Sequence, residues 1–117
     1  MDFKTSVSTV FNKYIEFSGR ASRSEFWWFA LFSAIMGVVT SILDLALGTI
    51  AAINLLFSLA VLLPTLAVSV RRLHDTDRSG WWLLLTLIPI VGWLVLLYFY
   101  VQKGTDGDNH HGADPLA

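Results

Sequence analysis

Cysteine is absent from the 117 residues, which excludes disulfide frameworks, thiolate metal sites, thiol catalysis and palmitoylation. Charge is scarce where a soluble fold would need it. Between Phe26 and Val101 it is confined to Asp44 and the stretch 71–78. A surplus of basic charge is missing too: a formal net charge of −1 gives no global basic field, so nucleic acid is not an expected partner. The apolar runs lack polar faces, and a helix apolar all round is buried in a large core or in lipid. A chain this short cannot build the large core, so lipid is the expected solvent.

What the sequence does contain is a succession of helical segments. Residues 2–17 place Phe3, Val7, Val10, Phe11, Tyr14 and Ile15 on one helical stripe and leave Lys4, Ser8, Asn12, Lys13 and Glu16 largely off it. That pattern fits an amphipathic helix lying in the membrane interface, or one packed on the rest of the protein or a partner. Ser22 and Glu25 have the spacing of a capping box at the start of the next helix. Transmembrane helices are expected at 26–47, 50–70 and 81–101, whose uncharged stretches cover about 27–31 Å against a hydrocarbon thickness of about 30 Å. Pro64 predicts a kink in the second, and Pro89 with Gly92 a bend or a close helix contact in the third. Residues 102–117, rich in Gly, Asp, Asn and His, lack periodicity and read as an irregular tail. The expected fold class is an all-α membrane protein: one domain with an amphipathic amino-terminal interfacial helix, three transmembrane helices and an irregular carboxy-terminal tail.

Three spans put Lys4, Lys13, Arg20, Arg23, Arg71, Arg72 and Arg78 on one side and Lys103 alone on the other. The positive-inside rule then predicts a cytoplasmic amino terminus and an external carboxy terminus.

The polar residues suggest little catalytic chemistry. His74 beside Asp75 has residue types suited to proton transfer, but neighbours on a helix do not face each other. With the tail across the membrane, His110 and His111 cannot join His74, so no metal, cofactor or catalytic set is expected. Asn54 is costly in lipid and is expected to hydrogen-bond another helix. No Lys, Arg, His or Glu lies within the spans, which argues against a proton relay.

Two runs form a matched pair, FSGRASRSEFWW at 17–28 and RRLHDTDRSGWW at 71–82. With Gly104, Thr105, Asp106, Gly107, Asp108, Asn109, Gly112, Asp114 and Pro115 they make the chain resemble the domain-of-unknown-function 805 family, the YhaH-like bacterial inner membrane proteins. The resemblance covers nearly the whole chain and departs at Asp77, where that family usually has glycine; aspartate tolerates turn geometry better than most residues. It implies a bacterial plasma membrane location and no activity.

The reading that follows is a non-enzymatic membrane interaction or assembly protein. In it, Arg20, Arg23, Glu25, Arg71, Arg72, His74, Asp75 and Arg78 form a cytoplasmic cluster that docks anionic lipid headgroups or a partner. Gly37, Asn54, Pro64, Pro89 and Gly92 are helix-packing candidates, within one chain or in a homo-oligomer. The alternative is a subunit of a small-molecule transporter or channel, in which the prolines mark broken helices.

Overall fold

The computed structural model describes residues 2–116. Helix α1, Phe3–Asn12, begins where the Asp2 side chain accepts a hydrogen bond from Thr5 N at 2.8 Å, which satisfies one of the amides orphaned at a helix start. It stops short of the expected residue 17. Its stripe packs on the protein: the Phe3 ring lies 5.8 Å from Trp28, the Phe11 ring 5.5 Å from Phe29, and both contact Phe32. Val10 is fully buried, while Tyr14 and Ile15, beyond the helix end, are exposed.

Helices α2, Arg23–Leu47, and α3, Ala52–Asp75, are both long and apolar enough to cross a membrane. They run antiparallel, since Asn54 meets Gly37, Phe57 meets Phe32 and Arg71 meets Glu25. The turn between them is organised by Asp44. Its carboxylate accepts from Ile53 N at 2.9 Å and Asn54 N at 2.8 Å, capping α3, and also from the Thr49 hydroxyl. The Asn54 amide reaches back to the Gly37 carbonyl, Thr40 Oγ1 and Ser41 Oγ at 2.8–3.2 Å. A polar group in an apolar span is thereby satisfied inside the chain. Pro64 is buried within α3, which continues unbroken to Asp75.

The third expected span is not one helix. Gly80–Leu87 forms a 3-10 segment, the chain reverses at 88–90, and α4, Val91–Val101, runs back beside it. Paired contacts fix the hairpin: Trp93 Nε1 donates to Thr86 O at 2.8 Å, Trp82 lies 5.5 Å from Phe99, and Arg78 stacks on Phe99. Proline disfavours the α conformation in the residue before it, and Ile88 is accordingly extended ahead of Pro89. Ile90 then takes a positive φ of 66°. The two legs approach so closely that a Cβ at Gly92 would lie 1.8 Å from Leu85 O, so only glycine fits. Each leg is about 16 Å long, roughly half the hydrocarbon thickness. Both ends of the hairpin consequently lie at the end of the molecule where α2 starts and α3 stops.

Candidate functional site

The polar candidates from 20–25 and 71–78 converge at that end, together with the tail. Ser22 accepts from Glu25 N at 3.3 Å, making one arm of the expected capping box. The reciprocal arm is not made: the Glu25 carboxylate pairs with Arg71 across the helix interface. Asp75 is held from two sides, by Arg20 Nε at 3.0 Å and by Arg72 NH1. Arg20, Glu25, Arg71, Arg72 and Asp75 are all buried. Three guanidinium groups against two carboxylates leave one positive charge in excess, and burial of such a set requires further hydrogen bonds.

Backbone carbonyls supply those bonds. Arg72 donates to Tyr100 O at 3.1 Å, to Ala21 O at 3.2 Å and to Gln102 O. Trp27 Nε1 adds a bond to Tyr100 O at 3.2 Å. The last carbonyls of a helix lack intrahelical partners and carry the negative end of its dipole, so Arg72 and Trp27 anchor the end of α4. Arg20 does the same for the tail, donating to Thr105, Gly107 and Gly112 carbonyls. Thr105 N returns a bond to Asp75 O at 2.7 Å. On Arg71, Nε and NH2 are buried without a partner.

The expectation that the tail lies across the membrane from His74 does not survive this geometry. The His111 ring stacks on His74 at 4.0 Å with planes 2° apart, Asn109 Nδ2 donates to His74 O at 2.9 Å, and His110 contacts the Asp77 carboxylate at 3.1 Å. The expected opposition of sides rested on 81–101 being one continuous helix, whereas the chain reverses at 88–90. Asp77 adopts φ 60°, a left-handed turn in which aspartate is tolerated. The bond from the His110 side chain, first among the causes, holds the Asp77 carboxyl below its ordinary value. Asp114 is likewise lowered, by bonds from Leu116 N and Gly107 N.

This arrangement is a clamp of buried ion pairs and backbone hydrogen bonds. His74 Nδ1 is hydrogen-bonded to Gly19 O at 2.9 Å, while the Asp75 carboxylate faces Arg20 and Arg72, so the two do not form a dyad. Parallel stacked imidazoles do not aim their lone pairs at one ion, and no cluster of three or more metal-ligating side chains occurs among the described residues. Arg23 is exposed, with one long bond of 3.4 Å to Val101 O. Arg78 is half-buried, its guanidinium 4.0 Å from the Phe99 ring centroid. Among the packing candidates, Asn54 joins α2 to α3 and Gly92 joins the hairpin legs, whereas a Cβ at Gly37 would meet nothing within 4 Å. Sequence reasoning used Gly104 and Asn109 only for the family resemblance and missed the carbonyls of Tyr100, Gln102 and Thr105; backbone acceptors carry no residue-type signal.

Comparison with known proteins gives a consistent answer. The family model described as "Protein of unknown function (DUF805)" matches residues 14–113. The chain is 49% identical over 108 residues to "Inner membrane protein YhaI" of Escherichia coli (strain K12), covering 92% of each. It is 46% identical over 111 residues to "Inner membrane protein YhaH" of the same strain, covering 91% of this chain and 92% of that one. It is 41% identical over 94 residues to "Uncharacterized protein YiiR", also of that strain, covering 75% of this chain and 58% of that one. No solved structure matches.

Proposed function

Because the chain belongs to the DUF805 family of proteins of unknown function, its role has to come from its own geometry, and we propose a non-enzymatic interaction and assembly protein of the inner membrane. One observation carries this reading: the polar end directs its charges inward while the apolar sides of the spans stay open. Arg20, Arg71, Arg72, Glu25 and Asp75 are held in buried ion pairs with one another, so they build the fold. Docking falls to what remains exposed.

Along α2, Ala34, Gly37 and Ser41 line a shallow groove of about 490 Å³ with Asn54 at its edge. Small residues let helix backbones approach closely in lipid, where no hydrophobic force drives association. A second copy or another membrane protein is the fitting partner. At the polar end, Arg23 and Arg78 are available to anionic headgroups, and arginine suits phosphate through its planar fork.

The topology that goes with this reading has two spans and both termini in the cytoplasm. Supporting it, all eight lysines and arginines lie toward one end and none in the 44–51 turn, a stronger positive-inside bias than three spans would give.

Association of the full chain in bilayers, measured by energy transfer between labelled copies or by in-membrane cross-linking, tests the assembly role. Gly37→Leu fills the groove and is expected to weaken association; unchanged association would overturn the proposed contact. The half-membrane hairpin supports a second reading, a transporter or channel subunit, since non-helical backbone at membrane depth occurs where it is buried in protein or lines a water-filled cavity. Solute flux from liposomes containing the chain would favour that reading, and tight liposomes the first.

A further inference from the structure

The buried core is gathered toward one end of the molecule. Along α2 and α3 the buried apolar residues Phe29, Val61, Ala67, Val68 and Leu73 lie in the half that ends at the ion pairs. Toward the 44–51 turn the two helices run without cover. Among the described residues 38–60 only Thr40 and Asp44 are buried, and Val38, Ile42, Leu55, Leu56 and Leu59 are 59–68% exposed. This bare half is about 15 Å long, about half of the hydrocarbon thickness.

The other elements all join the half that carries the ion pairs. Phe3 and Phe11 stand about two turns apart on α1, yet they meet Trp28, Phe29 and Phe32, which span about one turn of α2. Helix α1 therefore crosses α2 and does not run along it. Phe32 is about 14 Å from the start of α2, so the crossing stays within that half. The hairpin lies there too, tied by the Phe26–Tyr100 ring contact at 4.4 Å and by the bond from Trp27 Nε1 to Tyr100 O. Taking a helix as about 10 Å across, an upright element covers about 80 Å² of a leaflet and α1, lying flat, about 150 Å². The half with the ion pairs then covers about 470 Å² and the bare half about 160 Å².

We propose that the chain is a wedge that responds to membrane curvature, with its broad half in the cytoplasmic leaflet and its narrow half in the outer one. The proposal rests on the two-span reading, because a third span would fill the two halves more evenly. A broad half expands its own leaflet. The chain is therefore drawn to membrane that is convex on the cytoplasmic side and expelled from membrane that is concave there. Amphipathic elements inserted into one leaflet are curvature-sensitive for the same reason. What the chain recognises is a lipid surface of a given shape, with no particular headgroup required.

The test follows the full chain, carrying a fluorophore on Ala113→Cys as its one cysteine, in giant vesicles from which narrow membrane tubes are drawn outward. In such a tube the external leaflet is the expanded one. An impermeant quencher added outside silences copies whose tail faces outward, so both orientations are read in one preparation. Copies with the tail outward are expected to be enriched in the tube relative to the vesicle and copies with the tail inward depleted, each more strongly as the tube narrows. Equal density in tube and vesicle, or a response of the same sign in both orientations, overturns the wedge. Gly37→Leu, expected to weaken association, should sort as the unaltered chain does; sorting lost together with association would overturn a wedge formed by the single chain. Carboxy-terminal reporter fusions separate the two readings. Absent sorting with the tail in the cytoplasm sinks the wedge alone, and absent sorting with the tail outside sinks the two-span reading with it.

Discussion

The backbone at Gly104 rests directly on the carboxylate of Asp75: a Cβ built at Gly104 would lie 2.1 Å from Oδ2. Through that contact the tail closes over the buried Arg20–Asp75–Arg72 set. Gly104→Ala should therefore lift the tail, at a cost on the order of 1–3 kcal/mol for overpacking. Since the chain has no cysteine, a fluorophore on Ala113→Cys reports this selectively. Its anisotropy should fall in the Gly104→Ala background and would stay unchanged if the tail were held elsewhere.

The ion pairs make a paired prediction. Glu25→Gln leaves the Arg71 guanidinium buried without its carboxylate and should destabilise the chain by roughly 3–5 kcal/mol. Replacing both partners, Glu25→Leu with Arg71→Met, should recover most of that loss, because apolar side chains of similar volume remove the desolvation penalty along with the pair. Thermal unfolding in detergent compares the three chains. A double variant no more stable than the single one would mean that Arg71 does more than pair with Glu25.

At the opposite end, Asp44→Ala removes the acceptor of Ile53 N and Asn54 N. The loss expected for a helix cap is about 0.5–2 kcal/mol, read by the same unfolding measurement. Hydrogen exchange should rise first at the amides of Ile53 and Asn54.

Tail docking should depend on acid pH. Asp77 and Asp114 titrate below their ordinary value of 3.8 in the folded chain. Their contribution is therefore complete above 3.8 and is lost as pH falls through the lower folded values. Anisotropy of the Ala113→Cys label should drop as pH falls below about 4; no drop there would mean that these two carboxylates do not hold the tail.

The two long helices were legible because uncharged runs of membrane length and the Ser22 cap declare themselves locally. Family membership was legible in the runs at 17–28 and 71–82 and in the tail motif. The hairpin was not, since hydropathy is the same for a span and for two half-length legs. Pro89 and Gly92 signalled a disturbance there, but the return of the chain to Arg72 and Trp27, which hold the Tyr100 carbonyl, rests on contacts between residues far apart in sequence. The clamp was half legible. Its arginines and carboxylates stood out, yet nothing in their spacing said that Glu25 would leave its capping box for Arg71. Reading 81–101 as a span also carried the tail to the wrong end, away from His74 and Asp77.

The central claim is that two spans and a half-membrane hairpin leave both termini in the cytoplasm. Fusions at the carboxy terminus test it directly, comparing a fluorophore that matures only inside with a phosphatase active only outside. Bright fluorescence with no phosphatase activity is the expected result. Phosphatase activity with a dark fluorophore would put the tail outside and restore a third span, separating His111 from His74 and contradicting the clamp.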